Sequence, residues 1–481
     1  MNTLKKISAC IVLLSLAASS CTKKFEEINT DPNKIDRISP GTLLNPIIYN
    51  VSSFNMLRAD DVTFNLMQVA LPFPSASGGL HRYDVSENIG NSTWVTYYQW
   101  LNNVKEMYNA SVAAQDVNYQ GIAMTLNAWM YSNLADCFGD IPMDEANRAE
   151  NEGILRPKFN TQKEVYTKIL KDLDSANSLF NTSKAMSFGT EILYANNVSK
   201  WKKFCNSLRL RLLLRVSKKA EMNSWAQIRA MVDNPAKYPV FTSNAEAAIV
   251  NLSGITPLTS PWGRAVDFTS YRSMSKFFLD SLNALNDPRR AKFATEARNA
   301  SGSASIGFMG IPSGYSGSET QFNYIPSNVN VALVTAPMIN IVMSYAEVEF
   351  IKAELEFTAG NTAAAKTAYE KGTKASIEQW GLTMPSDYFT VNPNAAFNNT
   401  LSRIILQKYY ALYFNDYQQW FEYRRIGLPV MPVADGMLNN KKMPVRFKYP
   451  LTVRNLNTAN YQLAAAACGN DDINFKVWWA Q

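Results

Sequence analysis

Apolar side chains recur at steps of three and four residues along most of the chain, which is the spacing of one buried face of an α-helix. Between Trp94 and Cys137 this pattern predicts two amphipathic helices in succession. The same pattern predicts further helices over 161–180, 200–219, 272–285, 338–358, 362–380 and 401–422. Polar residues, glycine and proline collect between these stretches, notably over 71–91, 253–263 and 301–330. The predicted fold class is therefore mainly α, with long irregular loops.

One predicted helix pair also shows the spacing of a tetratricopeptide repeat, with small residues where two helices cross closely and an aromatic ring that packs into the next repeat. The spacing depends on Ala353, Gly360, Ala365 and Tyr369. An ordinary helical hairpin is the alternative, because such spacing arises fairly often. A single repeat cannot bury its own apolar face, so the pairs at 97–137 and 161–219 would have to stack against it.

The start of the chain has a different pattern. Lys5 and Lys6 precede an apolar stretch over 7–18, which is shorter than the ~20 apolar residues that span a bilayer. This is the layout of a secretory signal peptide. The small residues before Cys21 resemble the lipobox at which bacterial lipoproteins are cleaved and acylated, although Ala18 stands where most lipoboxes have leucine. An ordinary secretory signal followed by an unrelated cysteine is the alternative.

The predicted organisation is a lipoprotein signal peptide over 1–20 and one large domain over 21–481, because no linker rich in Pro, Gly or Ser divides the rest of the chain. An acylated Cys21 would hold the protein on the membrane by about 0.8 kcal/mol per buried CH2. The formal net charge of +7 includes no basic block, which gives no support to nucleic-acid binding. The cysteines of the domain form no C-x-x-C and predict buried thiols, at Cys137, Cys205 and Cys468.

Sequence motifs for catalysis are missing or weak. His81 is the only histidine, which excludes a metal site built from several histidines. No nucleophile elbow, phosphate-binding loop or dinucleotide-binding glycine motif occurs. The 40 acidic residues leave a glycosidase pair open. The candidates for such a pair are expected to have structural roles, in a turn, in helix caps or in ion pairs with Arg424 and Arg425. These candidates are Asp136, Asp140, Glu347, Glu349 and Glu354. We predict no catalytic residue, no cofactor and no metal site.

A series of ordered sequence blocks resembles one protein family. The segment Asp136-Cys137-Phe138-Gly139-Asp140-Ile141-Pro142, followed by Glu145-Ala146, is similar to the DxFGDIPYxEA segment of the SusD/RagB-like outer-membrane lipoproteins, in particular the second SusD-like subfamily. Other matching blocks lie in the family's order over 29–33, 166–176, 200–211, 286–289, 345–354, 407–409, 422–429, 446–450 and 477–479. The departures are local, and they are Cys137, Met143 and Ala480.

The resemblance implies a single SusD-like helical domain built on tetratricopeptide-like helix pairs. It also implies a lipid-anchored protein of the outer membrane that faces the cell exterior. Members of the family sit as a lid on a SusC-like TonB-dependent outer-membrane barrel, capture oligosaccharides or in some relatives peptides, and make no covalent change to them. The expected partners are therefore that barrel, an oligosaccharide or peptide ligand, and the membrane through the lipidated Cys21.

Ligand contacts are expected in the loops, because function concentrates on loops that a rigid scaffold holds. Sugar binders stack aromatic rings on the apolar faces of sugars and aim polar groups at the hydroxyl rims. The rings and polar groups that fit lie in two loop regions, namely Phe73, His81, Arg82, Tyr83 and Trp94, and Trp262, Arg264, Phe308, Tyr315 and Tyr324. Plain surface packing is the alternative for each of them. The tryptophans of apolar helix faces and matching blocks are expected in the core, and they are Trp129, Trp201, Trp420 and Trp478.

The loop rings are expected to be exposed, so that removing Trp94, Trp262, Tyr315 or Tyr324 would leave the melting temperature nearly unchanged. Two other functions stay open beside nutrient binding. A surface glycan-degrading enzyme would need two carboxylates ~5 to 10 Å apart in a cleft. A helical-repeat scaffold would bind a partner protein and no small ligand.

Overall fold

A computed structural model describes residues 38–74 and 77–481 of the chain, and the elements below belong to the compact unit Pro40–Gln481. The α-helices are α1 Pro40–Arg58, α2 Phe64–Leu66, α3 Asn91–Ala113, α4 Val117–Phe138, α5 Ala149–Glu152, α6 Gln162–Leu179, α7 Val198–Arg215, α8 Ser224–Val232, α9 Ala265–Thr269, α10 Lys276–Ala284, α11 Arg289–Phe293, α12 Tyr345–Thr358, α13 Thr362–Glu378, α14 Leu401–Ala411, α15 Gln418–Ile426, α16 Leu451–Leu456 and α17 Thr458–Ala467. A π-helical turn over Ala59–Thr63 joins α1 to α2. The predicted signal peptide and Cys21 lie outside the described residues.

The strands are short and form pairs. They are β1 Ala70–Pro72, β2 Ala248–Leu252, β3 Arg272–Met274, β4 Arg298–Asn299, β5 Tyr324–Ile325 and β6 Met338–Met343. In the described parts of the chain β1 pairs with β3, β2 with β6, and β4 with β5, each antiparallel. The molecule is mainly α-helical, as the apolar spacing predicted.

Helix hairpins stack in a continuous series. Helix α3 packs on α4, α4 on α6, α6 on α7, α7 on α12, and α12 on α13 and α14. The ends of these helices are fixed locally: Thr161 and Glu164 form a capping box at the start of α6, and Gly139, with φ +89°, ends α4. The neighbours that a tetratricopeptide-like pair requires are therefore present.

The α12–α13 hairpin shows the close helix crossing that the repeat spacing predicted. A Cβ atom added at Gly372 would lie 3.1 Å from the ring of Phe350, so a larger residue would push the two helices apart. Ala365 and Tyr369 are buried between them, and the Tyr369 hydroxyl donates a hydrogen bond to the Ala395 carbonyl at 2.7 Å. The small residues thus allow a tight helical pair.

Three predicted helices differ from the structure. The stretches 272–285 and 338–358 each begin as a strand, β3 and β6, before the helix starts. Short apolar runs fit a buried strand as well as a helix, and in β6 the branched residues pair with β2. The Ser344 side chain then accepts a hydrogen bond from the Glu347 amide and starts α12. The stretch 401–422 is interrupted, because Phe414 and Asp416 have left-handed φ values of 63° and 34°.

The framework residues are mostly where the sequence predicted them. Trp129, Trp201 and Trp420 are fully buried, whereas Trp478 is half-buried and the fully buried ring beside it is Trp479. The three domain cysteines are buried and unpaired. No helix in the described ranges is long and apolar enough to cross a membrane.

The five carboxylates considered for a glycosidase pair are held by other groups. Asp136 accepts hydrogen bonds from the Tyr166 hydroxyl and the Trp479 indole at 2.7 and 2.6 Å. Asp140 accepts from the Gln162 amide at 2.8 Å. Glu354 pairs with Arg425 at 2.7 Å, as predicted.

The remaining two carboxylates are paired with residues that the sequence did not indicate. Glu347 pairs with Arg211 at 2.5 Å and not with Arg424 or Arg425, and Glu349 pairs with Lys352 at 2.7 Å. Their structural role is thus confirmed with different partners.

Candidate functional site

The loops between α2 and β6 surround a cleft of about 600 Å³. Two strand pairs build it. In the first, β1 pairs with β3 so that Pro72 lies opposite Arg272, and the Phe73 amide donates a hydrogen bond to the Tyr271 carbonyl at 2.9 Å. In the second, Arg298 of β4 lies opposite Ile325 of β5. The cleft, called the loop cleft below, is lined by Phe73, Arg272, Thr295, Glu296, Arg298, Ser305, Ile325, Pro326 and Asn328.

Arg272 is held rigidly in the wall of the loop cleft. Its guanidinium pairs with the buried carboxylate of Asp60, donates to the Phe268 carbonyl at 3.2 Å, and lies 5.5 Å from the centre of the Phe268 ring. Burial raises the pKa of Asp60 to about 6, although the ion pair with Arg272 acts in the opposite direction. The Trp262 side chain also bonds to Asp60 and favours its ionised form. Arg272 therefore has fixed partners behind it.

The other rim of the loop cleft is polar and exposed. The Ser305 hydroxyl donates a hydrogen bond to the Glu296 carboxylate, and the Arg298 guanidinium donates to the Gly302 carbonyl at 3.0 Å. The Asn328 amide donates to the Thr269 carbonyl at 2.8 Å. These groups offer both donors and acceptors, which is what the hydroxyl rim of a sugar requires.

An aromatic cluster lies beside the cleft around Phe322. Its ring centre is 6.4 Å from that of Phe73, 5.0 Å from that of Tyr315 and 6.0 Å from that of Tyr324. The Arg82 guanidinium lies 5.6 Å from the centre of the Tyr315 ring. The Tyr324 hydroxyl donates to the Gly310 carbonyl at 2.9 Å. These interactions fix one apolar wall that continues from the cleft.

Tyr271, next to Arg272, presents the most exposed aromatic ring of this region. Its residue is 83% exposed, and its backbone has a left-handed φ of 53°. A bulky side chain in this conformation is uncommon and strained. The strain is held by the strand pairing that follows and by the hydrogen bond from Phe73 to the Tyr271 carbonyl. The fold therefore keeps an unfavourable conformation that leaves an aromatic ring in solvent beside the loop cleft.

The structure brings five of the predicted site residues into this neighbourhood, and they are Phe73, His81, Arg82, Tyr315 and Tyr324. His81 is joined to the region through its carbonyl, which accepts a hydrogen bond from the Ser313 hydroxyl at 2.8 Å. Burial lowers the pKa of His81 to about 4, so its imidazole is neutral at pH 7. Their contact with a ligand stays a prediction.

Trp94 is placed elsewhere, and its expected exposure is wrong. It lies in α3, is 9% exposed, and packs with ring centres 5.1 Å from Phe138, 6.1 Å from Phe159 and 6.0 Å from Tyr449. The glycine-rich loop before it ends at Asn91, where α3 begins, so Trp94 belongs to the helical core.

Burial also corrects the expected exposure of several other rings. Tyr83 is buried, and this burial raises the pKa of its hydroxyl to about 12. His81 and Tyr315 are buried as well. Sequence periodicity did not show this, because the covering segment over 428–438 is distant in the chain: the Leu438 amide donates to the Arg82 carbonyl at 2.7 Å.

Of the predicted site residues Phe73 lines the cleft, and the remaining three do not. Trp262 is half-buried and packs on Phe268 and Phe414, with ring centres 5.3 and 5.8 Å away. Arg264 is exposed and pairs with Asp267 at 2.6 Å. Phe308 is half-buried, with the Arg290 guanidinium 5.6 Å from its ring centre. Because the Trp262 side chain bonds to Asp60, which pairs with Arg272, Trp262 supports Arg272 from behind the cleft wall.

Sequence reasoning missed Tyr271 and Arg272, together with the polar rim. Tyr271 falls one residue before a stretch whose apolar pattern predicts a helix, so that pattern does not mark it as a loop residue. The signal that could have found it was the run Thr269-Ser270-Tyr271-Arg272, where an aromatic residue stands among polar ones.

The loop cleft has few acidic groups among the described residues that line it. Among the residues that line it, Glu296 supplies the one carboxylate, whereas a glycosidase needs a pair. Asp60 lies behind Arg272 and is already paired with it. Over the ranges that the structure describes, no group of three or more His, Cys, Asp or Glu side chains is arranged to hold a metal ion.

Comparison with known proteins gives a consistent family match. The family model SusD-like_2, described as starch-binding and associating with the outer membrane, matches residues 32–450. No curated protein matches the chain in sequence.

Solved structures share the fold over nearly the whole chain. A SusD homolog from Bacteroides fragilis is 21% identical, with a TM-score of 0.78, covering 92% of this chain and 100% of its own. A SusD homolog from Bacteroides uniformis is 23% identical, with a TM-score of 0.78 and coverage of 93% and 100%. A chitin-binding SusD homolog from Flavobacterium johnsoniae is 19% identical, with a TM-score of 0.78 and coverage of 92% and 98%. At these identities the likeness shows the fold alone.

The different surroundings of Trp94 and Tyr271 predict different effects on stability. Trp94→Ala should lower the free energy of unfolding by about 3 to 5 kcal/mol, because it removes a packed core ring. Tyr271→Ala should change it little or raise it slightly, because the ring is exposed and alanine tolerates the left-handed backbone no worse. Urea unfolding followed by circular dichroism measures both. Equal losses in the two variants would contradict this assignment of core and surface.

Proposed function

The chain belongs to the SusD-like family, and from that premise we propose that it binds nutrient oligosaccharides in the loop cleft and delivers them to a SusC-like TonB-dependent transporter of the outer membrane. The observation that carries the proposal is the preformed loop cleft with the exposed ring of Tyr271 beside it. Peptides are the alternative cargo. The predicted acylation of Cys21 and the family's association with the outer membrane support a location on the cell surface.

The chemistry of the loop cleft favours a sugar over a peptide. Its volume of about 600 Å³ lies in the range of small-ligand sites. The lining combines the Phe73 ring and the apolar Ile325 and Pro326 with hydroxyl, amide and charged groups, which matches the apolar faces and hydroxyl rims of sugar units. The family description names starch, and the Flavobacterium relative is described as binding chitin. A glucan or an amino-sugar polymer is therefore the first cargo to test.

The protein acts as a binder and leaves the covalent structure of its cargo unchanged. The single carboxylate of the cleft lining favours this over the glycan-degrading alternative. The scaffold alternative predicts no small ligand at all, and it does not account for a strained, exposed tyrosine beside a polar cleft.

The first test of the proposal is cargo binding. Maltoheptaose and chitohexaose are titrated into the full mature protein by calorimetry. Tyr271→Ala and Phe73→Ala should each weaken the affinity for the sugar about tenfold, or ~1.4 kcal/mol, because each removes one stacking ring. Tyr238→Ala is the matched control, since this half-buried ring packs under Arg209 and Lys237, away from the cleft.

Normal affinity in both cleft variants, with folding intact, would place the cargo site elsewhere. The same samples are assayed for reducing ends. Turnover at ~1 to 1,000 per second would replace binding by catalysis as the function.

The second test concerns the anchor. Cys21→Ala should move the protein from the membrane fraction to the soluble fraction, because the acyl chains would be missing. The fractions are compared by immunoblot in a strain that lacks the partner barrel, since docking could retain an unacylated protein. Cys205→Ala, which changes a buried thiol of the domain, is the control. Unchanged membrane association of Cys21→Ala would refute the lipoprotein assignment.

The third test concerns the partner. Extraction of native membranes in mild detergent should recover the protein together with a TonB-dependent barrel, identified by mass spectrometry. The Tyr271→Ala variant should still recover the barrel, because its defect lies in cargo binding. Recovery as a free protein in every detergent, with cargo supplied, would contradict delivery to a transporter.

A further inference from the structure

A second cleft, of about 380 Å³, lies among the helices and shares no residue with the loop cleft. Helix α3 contributes Leu101, Lys105 and Tyr108, whose spacing of four and three residues places them on one face. Helix α4 contributes Asn127 and Tyr131, again four residues apart. We call this the helix cleft.

The segment 143–148 forms one wall of the helix cleft and is fixed from both sides. Asn147 has a left-handed φ of 57°, and its side-chain amide donates to the Tyr98 carbonyl at 3.1 Å. The Asn160 side chain accepts hydrogen bonds from the amides of Met143 and Asp144 at 3.0 Å each and donates to the Asp144 carboxylate at 2.7 Å. The wall therefore exists before any ligand arrives.

Lys105 is positioned by this wall. Its ammonium donates to the Asn147 carbonyl at 2.8 Å, which leaves further protons of the same group for a ligand. Arg148 pairs with Glu152 at 3.1 Å, and Lys168 with Asp172 at 3.6 Å. Within residues 38–74 and 77–481, Lys105 has no carboxylate at ion-pair distance. It is thus a held cation without a counter-ion.

Two tyrosines complete the helix cleft. Tyr108 is 37% exposed, so its ring is open to contact. Tyr131 is nearly buried, and burial together with the charge of Asp144 raises the pKa of its hydroxyl, which stays protonated and can donate. An aromatic face, a hydroxyl, the Asn127 amide and a cation form the set of groups that recognises a sugar unit with an acidic substituent.

The charges select between a neutral and an acidic ligand. Lys105, Arg148 and Lys168 line the cleft together with one carboxylate, that of Asp144, which accepts a hydrogen bond from the Asn160 amide and keeps its charge. A carboxylate ligand would meet three cations against one carboxylate in this lining, and the Lys105 ammonium has no carboxylate partner of its own among the described residues.

We propose that the helix cleft is a second saccharide site, which takes a sugar unit bearing a carboxylate, with the acid on Lys105 and the ring against Tyr108. This site goes beyond the proposed capture of cargo in the loop cleft, and it does not depend on it. Its contacts lie on helices and on a wall that hydrogen bonds already fix.

The experiment titrates trimers of galacturonate and of mannuronate into the full mature protein by calorimetry, at 50 and 300 mM salt. At least one trimer should bind, and binding should weaken at the higher salt, where exposed charges are screened. Its fully methyl-esterified form should bind at least tenfold more weakly. Absence of binding by both trimers, or equal affinity of acid and ester, would overturn the proposal.

Variants then locate the bound trimer. Lys105→Met and Tyr108→Ala should each weaken the affinity for the trimer at least tenfold, while Lys105→Arg retains most of that affinity. Lys171→Met removes the same charge from an exposed position of α6 that does not line the cleft, and it should have little effect. Equal losses of affinity in Lys105→Met and Lys171→Met would show that the overall charge of the protein causes the effect, and they would overturn the site.

Tyr271→Ala separates this proposal from the proposed function. It should leave acid-trimer binding unchanged, whereas loss of that binding would place the trimer in the loop cleft and overturn the second site. Thermal unfolding of each variant by circular dichroism shows that the protein remains folded. Tyr108→Ala and Lys105→Arg keep the test decisive if Lys105→Met unfolds.

Discussion

The pairing of buried charges is the constraint on which the rest of the structure depends. Arg425 lies between Glu354 and Glu422, Lys408 pairs with Glu422 at 3.2 Å, and Arg211 pairs with Glu347. A buried charge without its partner is strongly destabilising, about 3 to 5 kcal/mol, so α7, α12, α14 and α15 must meet in one arrangement. Arg425 lowers the pKa of Glu422, and Glu354 and Glu422 raise the pKa of Arg425, in each case against the effect of burial. Arg425 and Glu422 therefore both stay ionised.

That arrangement reaches the loop cleft through the turn between α14 and α15. The Asp416 carbonyl accepts a hydrogen bond from the Thr63 hydroxyl at 2.7 Å, which fixes the π-helical turn that contains Asp60. Phe414 packs on Trp262 and Phe268, the residues behind Arg272. The position of the cleft wall is thus a consequence of the same packing that pairs the buried charges.

The sequence predicts what repeats locally and misses what distant segments decide. Helix faces, the tight α12–α13 pair and the buried cysteines follow from spacing or from residue type. The strands β3 and β6 do not follow from spacing, because a short apolar run becomes a strand when a partner such as β1 or β2 lies beside it. Likewise, loop residues such as Tyr315 were expected to be exposed, and the segment around Gly436 covers them.

Loop composition indicates the region of the candidate site but not its residues. Tyr271 matters through a backbone conformation that only the β1–β3 pairing imposes, and no residue type signals that. A site fixed in this way binds with little ordering of the protein, so affinity comes from contacts made in place. Among the described rings beside the loop cleft Tyr271 is the most exposed, and the polar rim faces water, so a sugar unit bound there as proposed would gain modest affinity and dissociate readily. The cargo delivery proposed for this protein requires such dissociation, and modest affinity supplies it, since affinity differences between related complexes lie mostly in the rate of release.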